Sequence, residues 1–242
     1  MQLNYFHIKM IAIVVMTIDH IAWVWVDTAS FIGQTMHFLG RLTAPLMCFL
    51  LVEGFLKTKS YQVYLGRLLL FAVLAQFPFV AMFNGLNFYI NKPELLFFKG
   101  NVLFNFVLAL FALGVVYKTT LHDLIKILMI ILLLFFSMFM DWGIFIICFT
   151  LVFAKYRANR NQQMIAYTIV SMGLLLLVDL GVVQGLPTLV LQWMPIGILL
   201  VPVVLYFCNY QAGPRWGGRY FFYCYYPVHM FLIALFAFVW LR

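Results

Sequence analysis

The first apolar stretch of the chain carries three ionisable side chains, those of Lys9, Asp19 and His20. In a helix, the eleven steps from Lys9 to His20 return to nearly the same face, roughly 16 Å further along the axis. Ionisable groups in an apolar membrane helix are costly and rare, and they usually mark a functional site. A carboxylate beside an imidazole can orient the ring and raise its basicity. Asp19 and His20 are therefore candidate catalytic residues, with a purely structural His–Asp pair as the alternative.

A second set of polar side chains is predicted near the same outer depth. His37 and Arg41 lie four residues apart, so they share a helix face, and a guanidinium there can hold a carboxylate or phosphate. Asn101 and Asn105 share a face in the same way and can hydrogen-bond a substrate carbonyl. These four residues are candidates for binding the acceptor or an oxyanion. The alternatives are an interfacial His37, an Arg41 that extends into the headgroups, and asparagines bonded to a neighbouring helix.

A third set of charged residues is predicted near the opposite, inner boundary. Glu53, Lys57 and Lys59 close one apolar stretch, and Arg67 stands near the start of the next. One interpretation is a Glu53–Arg67 ion pair that ties the two helices together, since pairing reduces the cost of burying each charge. The other is that Arg67 and the lysines bind the phosphates of a cytosolic cofactor.

The last apolar stretch adds a second intramembrane imidazole. His229 follows Tyr226 and Pro227, and Pro is tolerated near a helix start. We expect Tyr226 and His229 to lie at the inner depth with Glu53 and Arg67, and with Lys9 at its edge. The candidate cofactor-binding residues are therefore Lys9, Glu53, Lys57, Lys59, Arg67, Tyr226 and His229. The aromatic run before His229 favours membrane-interface packing over stacking on an adenine ring. Polar groups at two depths suit chemistry across a membrane, with a charged cofactor inside and an acceptor outside.

The elements that must position these residues are membrane helices. The 242 residues are 66% hydrophobic and only 9% charged, far from the average of a soluble domain. The net charge of +8 is explained by Lys and Arg in cytoplasmic loops and indicates no nucleic-acid partner. The four cysteines lie in apolar stretches without metal-ligand spacing, so neither a metal site nor a disulfide framework is expected.

Hydropathy predicts a single all-α, polytopic membrane domain over residues 1–242 with nine transmembrane helices. The expected spans are 8–26, 36–56, 63–83, 101–117, 122–139, 142–155, 163–183, 188–208 and 221–241. Because the fifth and sixth spans are joined only by Met140-Asp141-Trp142 and the sixth is short, eight helices plus a re-entrant segment is the alternative.

Basic residues predict that the amino terminus faces the cytoplasm. With that orientation the cytoplasmic ends hold Lys9, Lys57, Lys59, Lys118, Lys155, Arg157, Arg160, Arg215 and Arg219. The outer ends hold Lys92, Lys99 and Arg242. No strong internal repeat is visible, which disfavours a secondary transporter, because repeated halves are usual in that class.

The order of the motifs resembles the TraX family of bacterial membrane proteins, which is associated with N-terminal acetylation of conjugative pilin. The resemblance rests on Ile8-Lys9, Asp19-His20, Leu39-Gly40-Arg41 with Pro45, Glu53-Gly54-Phe55, Arg67, Gln76-Phe77-Pro78, Gly100-Asn101-Val102-Leu103-Phe104, Trp142-Gly143 and Tyr226-Pro227-Val228-His229. Each motif is weak alone, but together and in this order they cover nearly the whole chain.

TraX proteins are in turn similar to the acyltransferase-3 group of membrane acyltransferases. That group carries a basic residue, ten intervening residues and a histidine in its first helix, and Lys9 and His20 match this spacing. The resemblance implies a multi-pass protein of the bacterial cytoplasmic membrane that uses acetyl-CoA as acyl donor. Gln76 stands where related proteins carry an acidic residue, so no acid–base role is expected at that position.

The sequence therefore predicts an acetyltransferase that moves an acetyl group from cytosolic acetyl-CoA to the N-terminal amine of a pilin-like or other peptide. His20, oriented by Asp19, is the expected base or transient acyl carrier. O-acetylation of a surface glycan or lipid is the alternative within the enzyme class. A transporter or flippase, and a structural membrane partner of pilin-like peptides, are the alternatives outside it.

Overall fold

The structure is a computed structural model and describes residues 2–183, 187–188, 192–214 and 220–240. The described residues fold into helices joined by short loops and turns. In chain order the helices are α1 (Tyr5–Trp25), α2 (Phe31–Gly40), α3 (Thr43–Lys57), α4 (Tyr61–Asn84), α5 (Phe88–Asn91), α6 (Leu95–Phe98), α7 (Val102–Lys118), α8 (Asp123–Ser137), α9 (Phe145–Lys155), α10 (Arg160–Asp179), a 3₁₀ helix (Met194–Leu200), α11 (Val201–Tyr206) and α12 (Phe221–Trp240).

Five of the described helical segments are long and apolar enough to cross a membrane. They are Tyr5–Trp25, Phe31–Lys57, Tyr61–Asn84, Arg160–Asp179 and Phe221–Trp240. The second of these is one continuous span made of α2 and α3, with a break at Arg41 and Leu42. Shorter apolar helices cover Val102–Lys118, Phe145–Lys155 and Met194–Tyr206. The chain is thus an all-helical membrane protein in its described part.

The predicted spans lie on these helices with shifts of a few residues at their ends. The fifth and sixth spans form two separate helices, α8 and α9, joined by the turn 138–144. The number of membrane crossings and the N-in orientation stay predictions. Arg215, Arg219 and Arg242, which entered the charge count, and part of the span 188–208 lie outside the described residues.

The centre of the bundle is formed by α3, α7 and α9. Helix α9 is short but apolar all round, and Phe145, Phe149 and Phe153 are fully buried, as expected for a helix that other helices surround. Helix α8 lies at the periphery, where only Leu133 and Ser137 of its residues are buried. Its outward apolar side chains are suited to contact with lipid.

The amino terminus is tied to the chain segment that follows α11. The backbone N–H of Leu3 donates to the carbonyl of Phe207, and that of Asn209 donates back to Leu3, both at 2.8 Å. Asn4 then caps α1 by accepting a hydrogen bond from the N–H of His7. These contacts fix where α1 begins, and therefore the depth of every polar side chain on it.

Helices α1 and α12 run side by side in the same direction. Thr17 contacts Tyr225, and three residues later His20 contacts His229. Nearer the start of both helices, the ammonium of Lys9 lies 4.9 Å from the ring centroid of Phe222. Because the contacts advance in the same direction along both helices, α1 and α12 are parallel.

Candidate active site around His20

A cavity of about 70 Å³ lies between α1, the α2–α3 span, the start of α7 and α12. A cavity needs about 10–15 Å³ of accessible volume to hold one water. This cavity therefore has room for a few waters or one small acyl group. Polar side chains project into a mainly apolar wall, which is the ordinary character of a small-molecule site. The polar lining residues are Asp19, His20, Thr43, Asp141, Trp142 and Tyr226.

His20 meets His229 at the edge of this cavity. Its Nδ1 lies 2.7 Å from Nε2 of His229, and the two rings are nearly coplanar, with 5° between their planes. The 5.0 Å between ring centroids matches the nitrogen separation plus two ring radii, so the rings meet edge to edge. This is the geometry of a linear N–H···N hydrogen bond.

The partners of the two rings define which nitrogen carries each proton. Nδ1 of His229 lies 2.8 Å from the carbonyl oxygen of Tyr225, and a carbonyl only accepts, so this Nδ1 bears a hydrogen. In a neutral ring, Nε2 of His229 is then an acceptor, and His20 must donate to it from Nδ1. The lone pair of His20 is therefore on Nε2. The hydrogen-bond chain behind His20 therefore determines which of its ring nitrogens is free to accept a proton.

Asp19 does not orient His20, and the expected Asp19–His20 hydrogen bond is wrong. Its carboxylate accepts from Nδ1 of His37 at 2.9 Å, from Arg41 at 3.0 and 3.1 Å and from Trp23 at 3.2 Å. Successive residues of a helix point about 100° apart. The Asp19 side chain therefore points towards α2, while that of His20 points towards α12. Asp19 joins α1 to α2 instead.

His37 and Arg41 share a face, as their spacing predicts, but that face is used inside the protein. Arg41 is 5% exposed and Asp19 7%, so this is a buried ion pair, and the guanidinium also lies 5.1 Å from the ring of Trp142. Nε2 of His37 is buried without a partner among the described residues. Gly40 lets the helices approach, because a Cβ at this position would overlap the Asp19 side chain.

The two asparagines hold the backbone rather than face the cavity. Asn101 caps α7 and donates to the carbonyl of Ala72 and to Gln76. Asn105 donates to the carbonyls of Asp141 and Gly143 at 2.9 and 2.7 Å. Their amide donors are thus committed, which supports the alternative that they bind neighbouring elements. Asn101 and Asn105 position the turn beside the cavity.

The inner candidates separate into two groups. Lys9 and Arg67 both approach the first turn of α12, where Lys9 lies over Phe222 and Arg67 lies 5.1 Å from the ring of Tyr223. Nε of Arg67 is buried and has no hydrogen-bond partner within the part of the chain that the structure describes. Phe222 also lines the cavity. The two cations therefore lie beside the same turn of α12, next to one residue of the cavity wall.

Glu53 lies elsewhere, and the predicted Glu53–Arg67 ion pair is wrong. Its carboxylate accepts from Arg157 at 3.0 and 3.2 Å and from the hydroxyl of Tyr5, and Lys57 lies 3.4 Å away. Arg157 follows α9, and α9 packs against α3, which carries Glu53. The order of helices along the chain does not show that these two helices are neighbours. The hydrogen bond to Glu53 raises the pKa of Arg157. Lys57 is held in this cluster, and Lys59 is exposed at the start of the next loop.

The depth predicted for His229 is also wrong. It was grouped with Tyr226 at the inner depth, but it lies against His20, and Tyr226 itself lines the cavity with its ring 6.3 Å from that of His20. Helix α12 begins beside Lys9, so about two turns bring His229 to the depth of His20. The parallel packing of α1 and α12 brings together His20 and His229, which the sequence analysis had placed in two separate clusters.

Asp141 lines the cavity but was not among the candidate residues predicted from the sequence. It lies in the turn between α8 and α9, which folds inward against Gly100. The adjoining Trp142-Gly143 motif is the sequence signal that pointed to this turn. No group of three or more metal-binding side chains occurs within residues 2–183, 187–188, 192–214 and 220–240.

Comparison with known proteins relates the whole bundle to one family. The sequence profile described as TraX protein matches residues 6–237. The chain is also 46% identical over 231 residues to the probable fimbrial assembly protein FimC, serogroup H1, of Dichelobacter nodosus. That alignment covers 95% of this chain and 93% of the relative. No solved structure matches.

The matched region runs from α1 to α12 and includes His20, the Asp19–Arg41 pair, Asp141 and His229. The chain belongs to the TraX family.

Proposed function

We propose that this protein is a membrane acetyltransferase, which moves an acetyl group from cytosolic acetyl-CoA to an acceptor at the outer face. The preferred acceptor is the N-terminal amine of a pilin-like or other peptide. The observation that carries the proposal is His20, an intramembrane imidazole with the lone pair of Nε2 available at the edge of a small cavity. The name of the Dichelobacter relative, a fimbrial assembly protein, supports a pilin-related acceptor.

In the proposed reaction, Nε2 of His20 removes a proton from the acceptor amine as its nitrogen attacks the thioester carbon. The new C–N bond forms, the C–S bond breaks, and the pair of electrons leaves with the sulfur of coenzyme A. The proton on His20 then passes to the thiolate, so the products are an N-acetyl acceptor and free coenzyme A thiol. A positioned base is suited to both proton transfers.

Tyr226 is suited to stabilise the oxyanion that develops on the thioester carbonyl. Tyr226 lines the cavity beside Val102, and its ring lies 6.3 Å from that of His20, so its phenolic hydrogen can be donated into the cavity. A preformed donor aimed at a developing negative charge is usually the largest single contribution to this kind of catalysis.

Lys9 and Arg67 are the residues that fit the phosphates of acetyl-CoA. Both lie beside the first turn of α12. Nε of Arg67 has no hydrogen-bond partner among the described residues, so it can donate to a phosphate oxygen. Arg presents a planar fork that matches phosphate, and Lys adds a point charge. Lys57 is held by Glu53 and Tyr5, so it is less suited to this role than the sequence indicated.

We further infer nine crossings with the amino terminus inside. The parallel arrangement of α1 and α12 supports an odd number of crossings, because the first and last helices then begin on the same side. Eight crossings would make these two helices antiparallel. Lys9 and Arg67 then face the cytoplasm, where acetyl-CoA is found, and Asp141 faces outward. The bacterial cytoplasmic membrane is the expected location.

The direct test of function is an assay of the purified protein in detergent. We expect it to transfer labelled acetyl from acetyl-CoA to the free amine of glycyl-glycine amide and to release one coenzyme A thiol per acetyl group. An unrelated polytopic membrane protein purified in the same way is the control. If the protein binds acetyl-CoA but forms no labelled product with peptide, glycan or lipid acceptors, it is not an acetyltransferase.

His229 is expected to act as a positioning residue for His20. Replacing it with alanine removes the acceptor that holds the hydrogen on Nδ1 of His20, so both tautomers become populated. We expect kcat to fall by about 10- to 100-fold, the usual cost of removing a group that orients a functional imidazole, while KM for acetyl-CoA changes little. Nitrogen-15 NMR of the His20 ring should show the loss of a single tautomer.

The conservative variant His229→Gln is the matched control, because its amide oxygen can still accept from His20. It should recover part of kcat and restore the Nδ1–H signal of His20. A His229→Ala protein with normal kcat, or with His20 still in one tautomer, would show that His229 is not the orienting group.

A further inference from the structure

We propose that Asp141 binds the acceptor as an ammonium group and makes the site selective for amines over hydroxyls. This inference rests on the acetyltransferase function proposed above and names its acceptor class. It draws on the construction of the turn, on the position of Asp141 at the cavity, and on the cation that the carboxylate holds in the structure.

The turn that carries Asp141 is built to hold one conformation. Trp142 has a φ of 66°, a left-handed conformation that is uncommon for a bulky residue, and Gly143 follows with a φ of 49°. Asn105 donates to the carbonyls on both sides of Trp142, and the N–H of Asp141 donates to Gly100 at 2.8 Å. Backbone held in such a sparsely populated region clusters at functional sites.

This turn aims its side chains at the cavity. Asp141 and Trp142 both line it, and the Trp142 ring is held against the guanidinium of Arg41. Asp141 lines the same cavity as His20 and Tyr226. The carboxylate, the proposed base and the proposed oxyanion donor therefore surround one small volume.

Of the two carboxylates that line the cavity, only Asp141 is suited to a cationic ligand. Asp19 already accepts four hydrogen bonds from His37, Arg41 and Trp23. Among the residues that the structure describes, Asp141 has a single charged partner, Lys99, whose Nζ lies 3.1 Å away. The Lys99 side chain is 53% exposed, so it can move into water. The Lys99 side chain ends in a primary ammonium group, which binds the Asp141 carboxylate as the ammonium group of an acceptor would.

The number of hydrogens on the acceptor explains the selectivity. An ammonium bound at Asp141 first releases one proton to water at the outer side. The neutral amine then keeps two N–H groups, one for the carboxylate and one for Nε2 of His20, while its lone pair faces the thioester carbon. A hydroxyl has one hydrogen, which His20 must take, so an oxygen lone pair would face the carboxylate without a hydrogen bond.

The test compares two acceptors that differ only in the nucleophile, glycyl-glycine amide and glycolyl-glycine amide. We expect the wild-type protein to prefer the amine. Asp141→Asn should lower kcat/KM for the amine by about 10- to 100-fold, the usual loss when a hydrogen bond to a charged group is removed. The rate with the hydroxyl acceptor should stay the same or rise. Asp123→Asn, which removes an exposed carboxylate on α8, is the matched control.

A second variant gives an effect of opposite sign and does not depend on the fold surviving the loss of Asp141. Lys99→Gln removes the resident ammonium, so KM for glycyl-glycine amide should fall several-fold while the hydroxyl acceptor is unaffected. An unchanged amine preference in Asp141→Asn, or an unchanged KM in Lys99→Gln, would overturn the assignment. Wild-type protein that acetylates neither acceptor and no other would instead refute the proposed function itself.

Discussion

Replacing His20 with alanine is expected to lower acetyl transfer by about 10²- to 10⁴-fold, the range that a positioned general base contributes. The fold should survive, because His20 is only partly buried and its hydrogen bond is to a single ring, that of His229. The measurement is kcat for transfer of labelled acetyl to glycyl-glycine amide, together with the elution profile of the purified variant. KM for acetyl-CoA should change little, since Lys9 and Arg67 are untouched.

The matched control removes another histidine. His122 is exposed, caps α8 and does not line the cavity, and His122→Ala should retain full activity. Normal transfer by a well-folded His20→Ala protein would remove His20 from the mechanism. Equal losses in both variants would point to a nonspecific effect of the substitutions.

Removing Arg41 is expected to produce the largest loss of stability. Arg41 and Asp19 are both almost fully buried, and the guanidinium donates to both carboxylate oxygens. Arg41→Ala leaves the Asp19 charge unpaired in an apolar surrounding, which typically costs about 3–5 kcal/mol. The fraction of folded protein in a titration with a denaturing detergent measures this difference.

Two comparisons isolate the cause. In Arg41→Ala the loss should be partly reversed by adding Asp19→Ala, because the double variant has no unpaired buried charge. Lys126→Ala breaks a 3.8 Å contact with the exposed Asp123 and should change stability by less than about 1 kcal/mol. If Arg41→Ala were as mild as Lys126→Ala, the buried pair would not hold α1 to α2.

Hydropathy predicted the helices well because the pattern is strong over whole segments. The predicted span 63–83 became Tyr61–Asn84, and the predicted 101–117 became Val102–Lys118. The α2–α3 span starts five residues earlier than expected, because Ser30 caps it and its side chain accepts from the N–H of Gly33. Gly33, Gln34 and Thr35 weakened the hydropathy signal there.

Side-chain partners were predicted less well, because a contact between helices depends on their relative register. The sequence shows that Glu53 needs a cation, but not whether Arg67 or Arg157 supplies it. Likewise it shows that His229 lies in a membrane helix, but its meeting with His20 depends on where α12 begins beside α1. Local spacing did predict the shared face of His37 and Arg41, since both lie on one helix.

Asp141 illustrates a different difficulty. A charged residue in a short connection is usually solvated, and nothing in the local pattern shows that the turn folds inward. Its position depends on hydrogen bonds to Gly100 and Asn105, which are some 40 residues earlier in the chain. Such long-range backbone contacts become visible only in the folded protein.

In the proposed mechanism, Nε2 of His20 faces the reacting carbonyl of acetyl-CoA. It is tested most directly by an electron cryo-microscopy structure with acetonyl-CoA, a ketone analogue that cannot transfer its acyl group. We predict phosphates beside Lys9 and Arg67, and the ketone in the cavity between His20 and Tyr226. A ketone bound near Glu53 and Lys57, or coenzyme A density that never approaches His20, would contradict the account.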